Sequence, residues 1–333
     1  MDFCIYRQAN NDKGIIYIEK MENKNIIDLG DRGKYHKGNK LNNLTGKEWL
    51  RFTKSWEIVN NTEESFFIIN PKPRNENVIL HPAKFPEELV VKLIDFFTKE
   101  SEIVFDPFLG TGSTLVAAQM RNRKGIGVEL NPKYAEITKE RINSLFADNF
   151  IILTGNSENL LTLKNENELT ISEILKTWNT DFVDCIITSP PYWDMLKNSR
   201  GNIETLHKKH IKKGGDEFYS SLENDLGNLN DYKEYLDKLI KIFTNCYEIL
   251  KPNGYLVIVI QNIRIPNGKM IPLAWELAIK LSEKYELRQE KVWLQDNKQL
   301  NIWGYPSSYV SNVHHHYCIV LQKINNKNVP NIR

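Results

Sequence analysis

Seven short apolar segments recur between residues 103 and 321, and each is long enough for one strand of a buried sheet. The segments are Ile103–Phe105, Gly125–Glu129, Phe150–Leu153, Phe182–Ile187, Tyr255–Ile260, Leu287–Leu294 and Val313–Leu321. Stretches with apolar residues at helical spacing separate most of them, near 86–99, 113–121, 131–147, 171–178, 231–250 and 272–284. Strands that alternate with helices predict an α/β fold, in which a mostly parallel sheet carries helices on both faces.

Residues 1–80 lack this alternation and are predicted to form an N-terminal extension. Residues 32–54 carry seven Lys or Arg residues against one acidic residue. Such a basic stretch suits a phosphate backbone, although lysines on a solvated face give the same pattern. The DNA-binding candidates in this extension are Lys37, Lys40, Lys47 and Lys54.

The same basic stretch contains a predicted helix. The Thr-x-x-Glu sequence that begins at Thr45 is typical of a capping box and predicts a helix over about 46–55. Trp49, Phe52 and Trp56 would then lie on one face of this helix. They either pack against the main domain or interleave with the lysines on a nucleic-acid-binding surface.

A glycine-containing loop follows the first strand of the predicted sheet. In the sequence Asp-Pro-Phe-Leu-Gly-Thr-Gly-Ser-Thr, Gly110 and Gly112 let the backbone turn sharply and let a ligand approach. The second strand ends in Glu129, a carboxylate placed to accept hydrogen bonds from ribose hydroxyls. Leu115 stands where a phosphate-binding fingerprint has its third glycine, and Asp106 suits the positively charged methionine end of S-adenosylmethionine better than a pyrophosphate. With the turn after the third strand, the cofactor-binding candidates are Asp106, Pro107, Phe108, Gly110, Thr111, Gly112, Ser113, Thr114, Glu129, Leu130, Asn156 and Ser157.

A stiff loop follows the fourth strand, because the two prolines of Ser189-Pro190-Pro191-Tyr192-Trp193 lack N–H donors and cannot continue it. Ser189 supplies a hydroxyl acceptor and Pro190 a carbonyl of fixed direction, while Tyr192 and Trp193 supply flat aromatic surface. Acceptors beside a stacking surface suit a planar ring that carries an amino group. The alternative is a plain Pro-Pro turn with two aromatic residues in the core.

Composition limits the class of protein without naming an activity. The 333 residues are 41% hydrophobic and 26% charged, with a net charge of +2, as in ordinary soluble proteins. No apolar run approaches the roughly 18 residues that span a bilayer, and the N-terminus has no signal-peptide pattern, which predicts a cytoplasmic protein. The four cysteines stand far apart and predict neither disulfides nor a zinc site. His314–His316 alternate between the two faces of the last strand, so no metal site is predicted.

These motifs resemble, in their order, those of S-adenosylmethionine-dependent DNA amino-methyltransferases of restriction–modification type. The resemblance covers about residues 80–322 and rests on His81–Pro86, Asp106–Thr114, Glu129, Gly155–Ser157 and Thr188–Trp193. It implies a Rossmann-like methyltransferase fold with seven strands, the last of them antiparallel. It also implies S-adenosyl-L-methionine as the cofactor, which His81, Lys84 and Pro86 would help to bind.

The resemblance further implies a reaction on DNA. The catalytic residues would be Ser189, Pro190, Pro191, Tyr192 and Trp193, acting on a base flipped out of the duplex. Double-stranded DNA is the implied partner, with a cognate restriction endonuclease for the same site, and the chain would act as a monomer or homodimer. Ser189 in the first motif position favours N4 of cytosine over N6 of adenine as the methylated amine. Methylation of RNA or protein amines, and a catalytically silent DNA-binding subunit, are the further alternatives.

The order of the motifs predicts a catalytic domain over 81–322 and a polar tail over 323–333. Too few residues separate Gly155 from the Ser189 loop, or follow the last strand, to hold a recognition domain. Residues 1–80 and a basic insertion at 194–230 are therefore the candidates for reading the DNA sequence. The insertion contributes Lys197, Arg200, Lys208, Lys209, Lys212 and Lys213, and His315 joins these candidates because one of the three histidines is expected to line the base pocket.

Overall fold

The computed structural model describes residues 6–10, 16–20, 24–60, 86–143, 149–193, 222, 225–265, 267–298, 300, 302 and 304–324. The α-helices in these ranges are α1 (Gly46–Phe52), α2 (Glu87–Phe97), α3 (Ser113–Met120), α4 (Pro132–Asn143), α5 (Ile171–Thr177), α6 (Tyr232–Ile249) and α7 (Leu273–Leu281). The strands are β1 (Tyr6–Asn10), β2 (Ile16–Lys20), β3 (Ile26–Asp28), β4 (Lys34–His36), β5 (Trp56–Ile58), β6 (Ile103–Asp106), β7 (Lys124–Glu129), β8 (Phe150–Thr154), β9 (Val183–Thr188), β10 (Leu250–Ile260), β11 (Ile263–Arg264), β12 (Met270–Ile271), β13 (Glu286–Leu294) and β14 (His315–Gln322). In this described part of the chain, no helix combines the length and apolar character that crossing a bilayer requires.

Eight strands form the central sheet, in the order β5-β13-β14-β10-β9-β6-β7-β8. Neighbouring strands are parallel except at β14, which runs antiparallel to both β10 and β13. This is a Rossmann-like methyltransferase fold, so the predicted parallel sheet with an antiparallel last strand is confirmed. The predicted count of seven is wrong because Trp56–Ile58 adds β5 beside β13.

Helices cover both faces of the sheet, as predicted. On one face, α5, α6 and α7 pack against β6, β9 and β10, and Phe243 of α6 lies in the same core as Ile186. On the other face, α2 and α3 pack against the same strands, and Ile94 of α2 lies in the same core as Ile187. Because Ile186 and Ile187 are adjacent in β9 and point to opposite faces, both must be apolar, which explains the unbroken apolar run.

Residues 39–49 of the N-terminal segment dock at the amino edge of the sheet. The side chain of Asn42 is buried and donates to the Phe96 carbonyl at the end of α2 over 2.7 Å, and Lys99 Nζ donates to the Asn39 carbonyl. Trp49 packs edge-on to Phe96 at 4.9 Å between ring centroids. Of the two alternatives left open for the aromatic residues of α1, packing on the main domain is therefore the one observed for Trp49.

Trp56 departs from the prediction. The capping box at Thr45 is present, but α1 ends at Phe52, and Trp56 lies in β5 with 45% of its surface exposed. The buried ammonium of Lys291 donates to the carbonyls of Phe52 and Lys54 over 2.8 and 2.7 Å. A cation on the last carbonyls of a helix stabilises its end, and here it also turns the chain alongside β13.

Other differences concern element boundaries. β10 begins at Leu250, ahead of the predicted Tyr255, and its pairing with β9 shifts register between these two residues. The small antiparallel pairs β1–β2 and β3–β4 were not predicted. Most of the predicted insertion at 194–230 lies outside the described residues, as do residues 61–85 and most of the polar tail.

Candidate functional site

Four parallel strands end side by side at the carboxyl edge of the sheet, at Asp106, Glu129, Thr154 and Thr188. The strand order reverses between β6 and β9, which pair directly. Open α/β sheets bind ligands at such a switch point, outside the carboxyl ends of the strands. The glycine loop and the Ser-Pro-Pro-Tyr loop leave these two strands and are therefore neighbours.

Asp106 links the glycine loop to the Ser-Pro-Pro-Tyr loop. Its carboxylate accepts hydrogen bonds from Thr114 Oγ1 (2.5 Å), Thr188 Oγ1 (2.6 Å) and the Phe108 amide (2.9 Å). The residue has no exposed surface. Burial raises the pKa of its carboxyl to about 6, although the three hydrogen bonds act to lower it. The expected contact with the methionine end of a cofactor does not fit this placement, because the carboxylate is enclosed by protein groups. Asp106 instead holds the start of α3 and the end of β9 together.

The two glycines of the loop have backbone conformations that other residues rarely adopt. Gly110 has φ +55° and Gly112, which precedes α3, has φ +84°. A Cβ added at Gly112 would lie 2.4 Å from Thr138 Cγ2 of α4. The hydroxyl of Thr138 donates to the Gly110 carbonyl over 3.1 Å, so α4 fixes the shape of the loop.

A buried ion pair also braces this loop. Glu87, in the first turn of α2, lies 2.8 Å from Arg141 Nη2 of α4, and both side chains are buried. Arg141 Nη1 donates to the Thr111 carbonyl, and the Ser113 hydroxyl donates to Glu87 Oε1 over 3.0 Å. From the sequence, Glu87 is expected only to interact with the positive end of its own helix. Arg141 lies 54 positions further along the chain, and nothing in the local sequence predicts that it pairs with Glu87.

Glu129 ends β7 within reach of both the loop and α4. One carboxylate oxygen accepts from the Gly110 amide at 2.6 Å and the other from the Asn131 amide at 2.8 Å. Its exposed fraction is 9%, and burial raises the pKa of its carboxyl to about 8, although these two amides oppose the shift. Since a carboxylate oxygen has two lone pairs, each oxygen can accept a further hydrogen bond.

The turn after β8 also meets the glycine loop. The Ser157 hydroxyl donates to the Pro107 carbonyl over 2.5 Å, and the Asn156 side chain accepts from the Glu158 amide. Partial exposure divides the predicted cofactor residues at this edge into two groups. Those partly open to solvent are Phe108, Gly110, Leu130 and Asn156, whereas Pro86, Asp106, Pro107, Thr111, Gly112, Ser113, Thr114, Glu129 and Ser157 are buried.

The Ser-Pro-Pro-Tyr loop is held by α6. Tyr235 Oη donates to the Pro191 carbonyl over 2.7 Å, and Trp193 packs edge-on to Tyr232 at 5.2 Å. Ser189 is half-buried and hydrogen-bonds Tyr192, and burial raises the pKa of the Tyr192 hydroxyl. Tyr192 is only 8% exposed and belongs to the core, which agrees with the alternative of a core aromatic, and its role as a stacking surface stays a prediction.

His316, and not the predicted candidate His315, is the histidine whose ring lies beside Tyr192. Its ring stacks on Trp293 at 4.5 Å between centroids and lies 6.1 Å from the Tyr192 ring. His315, the predicted candidate, points to the other face of β14 and meets Tyr317 edge-on. The alternation of the strand was predicted, but the sequence does not show which face meets the loop.

The basic residues of the N-terminal segment lie on its surface. Lys37, Lys40, Lys47 and Lys54 are exposed. The first three flank Asn42, which docks at the amino edge, whereas Lys54 lies just before β5 and beside β13. Their role in DNA binding stays a prediction. Several other predicted residues lie outside the described ranges: His81, Lys84, Lys197, Arg200, Lys208, Lys209, Lys212 and Lys213.

Comparison with known proteins was made by sequence and by structure. A family model described as DNA methylase, of the N6/N4 methyltransferases, matches residues 7–140 and 183–331. Orphan methyltransferase M.BamHII from Bacillus amyloliquefaciens is 37% identical over 125 residues, which are 37% of this chain and 40% of that protein. Type II methyltransferase M.MthZI from Methanothermobacter thermautotrophicus is 30% identical over 109 residues, which are 32% of this chain and 31% of that protein.

The chain thus spans less than half the length of these curated relatives. Among solved structures, TrmN from Thermus thermophilus superposes with a TM-score of 0.41 and 14% identity over 72% of this chain and 48% of that one, which is too distant to support an argument about function. The family model, in contrast, covers most of the chain, including both loops at the carboxyl edge. The chain therefore belongs to the DNA methylase family of N6/N4 methyltransferases.

Proposed function

We propose that the protein transfers a methyl group from S-adenosyl-L-methionine to the exocyclic N4 amine of a cytosine flipped out of duplex DNA. The family assignment supports methylation of DNA. The observation that carries the chemistry is the hydrogen-bonded link from Thr188 through Asp106 to Thr114, which fixes the Ser-Pro-Pro-Tyr loop beside the glycine loop. Two ligands, one held by each loop, would be brought together at the switch point of the sheet.

The residues present fit the proposed cofactor. Glu129 ends its strand at this edge with lone pairs left for ribose hydroxyls, and the positive φ angles at Gly110 and Gly112 let the backbone approach a ligand closely. Phe108, Leu130 and Asn156 keep partial exposure beside them and would line the nucleoside. When bound, S-adenosylmethionine supplies an electrophilic methyl group on a sulfonium sulfur.

The residues of the Ser-Pro-Pro-Tyr loop would position and activate the amine. The lone pair of an exocyclic amine is delocalised into the ring, which makes the amine a poor nucleophile. The Ser189 oxygen and the Pro190 carbonyl would accept its two N–H bonds, localise the lone pair and aim it at the methyl group. The hydrogen bond between Ser189 and Tyr192 would fix the hydroxyl, and Tyr235 holds the Pro191 carbonyl and with it the loop.

Cytosine is favoured over adenine by the residue in the first motif position. An aspartate there is common in the adenine enzymes that this chain resembles, whereas the neutral Ser189 is common in the cytosine enzymes. N6 of adenine is the alternative, because it presents the same N–C–NH₂ edge. A companion restriction endonuclease is proposed from the relatives named Type II methyltransferases.

Labelled methyl transfer tests the proposal. The purified chain is incubated with S-adenosylmethionine carrying a labelled methyl group and with modification-free duplex DNA, total RNA or bulk protein. We expect label in DNA alone, and loss of that label in the matched Ser189→Ala variant. Label in RNA or protein without label in DNA would contradict the proposal.

A further inference from the structure

Two buried polar atoms at the Ser-Pro-Pro-Tyr loop and beside it have no hydrogen-bond partner in the described part of the chain: Trp193 Nε1, within the loop, and His316 Nδ1. Buried polar side-chain atoms are paired in most proteins, and each unpaired one calls for an explanation, such as a catalytic role or a bound water or ion. The ring of His316 is 6.1 Å from the Tyr192 ring.

The ring of His316 is held firmly. It lies near the start of β14, opposite Trp293 in the pairing with β13, at the carboxyl edge of the sheet. Stacking on Trp293, at 4.5 Å and 27° between ring planes, fixes one side of the imidazole. Trp293 is itself anchored, because its Nε1 donates to the Val59 carbonyl over 2.7 Å. The plane of the His316 ring is therefore set before any ligand binds.

The imidazole of His316 is neutral at physiological pH. Burial, with Lys298 and His315 nearby, holds the pKa of His316 well below its ordinary value. A neutral imidazole has one nitrogen that donates and one that accepts. The ring can thus offer a single directional N–H without the cost of a buried charge.

We propose that His316 is a specificity-determining residue of the target-base pocket, where its Nδ1–H donates to the ring nitrogen beside the exocyclic amine. The inference rests on the proposed function and adds the reading of the base to it. N3 of cytosine and N1 of adenine accept a hydrogen bond at that position. N3 of thymine and N1 of guanine carry a hydrogen there, so His316 would oppose a donor with a donor and reject those bases.

A His316→Phe variant separates recognition from structure. Phenylalanine keeps a flat ring for stacking on Trp293 and removes the unpartnered nitrogen, so we expect an equal or higher Tm. S-adenosylmethionine affinity should be unchanged. On modification-free genomic DNA, kcat/KM should fall about tenfold or more, because the acceptor of the base would be buried unpaired. A His316→Asn variant places an amide near the position of Nδ1 and should recover a measurable part of that loss.

The control is Tyr247→Phe, which likewise removes one polar atom from an aromatic ring, near the end of α6, where Lys284 and Lys323 lie over that ring. It should leave kcat/KM unchanged. Three results would overturn the inference without touching the proposed function. They are a wild-type kcat/KM in His316→Phe, a Tm of His316→Phe that falls together with its kcat/KM, and a kcat/KM in His316→Asn no higher than that of His316→Phe. A wild-type chain that methylates no DNA would overturn the proposed function and this inference with it.

Discussion

Binding of the cofactor's nucleoside is expected to remove a proton from Glu129. Burial raises the pKa of this carboxyl to about 8, so the free protein holds it mostly protonated at neutral pH. Ribose hydroxyls donate more strongly to a carboxylate than to a carboxylic acid. The ligand therefore prefers the ionised form, and its affinity should rise with pH up to about 8 and stay level above that value.

The size of the effect follows from the two pKa values. If the occupied site lets Glu129 titrate near its ordinary value of 4.5, affinity changes tenfold for each pH unit below about 8. Between pH 8, where the free carboxyl is half ionised, and pH 6 the dissociation constant should then increase by about 50-fold.

Calorimetric titration with 5′-methylthioadenosine measures this dependence. This ligand keeps the adenine and ribose but lacks the amino-acid group, whose own titration would overlap that of Glu129. Repeating the titration in buffers with different ionisation enthalpies counts the protons released. Glu129→Gln is the matched control, because it keeps the shape of the side chain and removes its proton equilibrium.

The variant should bind more weakly at pH 8 and show little slope between pH 7 and pH 8. Wild-type affinity that stays constant from pH 6 to pH 9 would refute the assignment of Glu129 to the ribose. An equal slope in wild type and Glu129→Gln would refute it as well, because the titrating group would then lie elsewhere.

Three further substitutions test other parts of the site. Ser189→Ala should lower turnover about 100-fold or more while leaving cofactor affinity unchanged, as seen by labelled methyl transfer and calorimetry, because it removes an oriented acceptor. Gly112→Ala should cost about 2 kcal/mol or more of unfolding free energy in thermal melts, since φ is +84° and the added Cβ meets Thr138 Cγ2. Adding Thr138→Ser should recover part of that loss, and no recovery would contradict the clash. Arg141→Met should cost about 3–5 kcal/mol in denaturant unfolding because it removes a buried cation that pairs with Glu87 and donates to the Thr111 carbonyl. A loss below about 1 kcal/mol, the value of an exposed ion pair, would contradict that role.

The sequence predicts the sheet well where local signals suffice. Apolar runs such as that of β9 are buried on both faces, so their pattern alone identifies them. β5 escaped prediction because it is three residues long and two of them are exposed. Its existence depends on pairing with β13 and on the buried Lys291, which binds carbonyls more than 230 positions away.

As with the sheet, the parts of the site that could be predicted are those with a local sequence signal. The glycine loop and the Ser-Pro-Pro-Tyr loop have local sequence signatures, because positive φ and proline act on the backbone where they occur. The partnership of Glu87 with Arg141 has none, and Arg141 resembles any polar position on a helix. Charge counts likewise could not show that the basic stretch around Lys47 docks at the edge opposite Ser189.

The central claim is methylation of an exocyclic amine in DNA, and the modified nucleoside tests it most directly. DNA from cells that express the wild-type chain, and from cells that express Ser189→Ala, is digested to nucleosides and analysed by mass. We expect N4-methylcytosine with the wild-type chain and none with the variant. N6-methyladenine alone would overturn the choice of base, and the absence of both modified nucleosides would contradict the central claim.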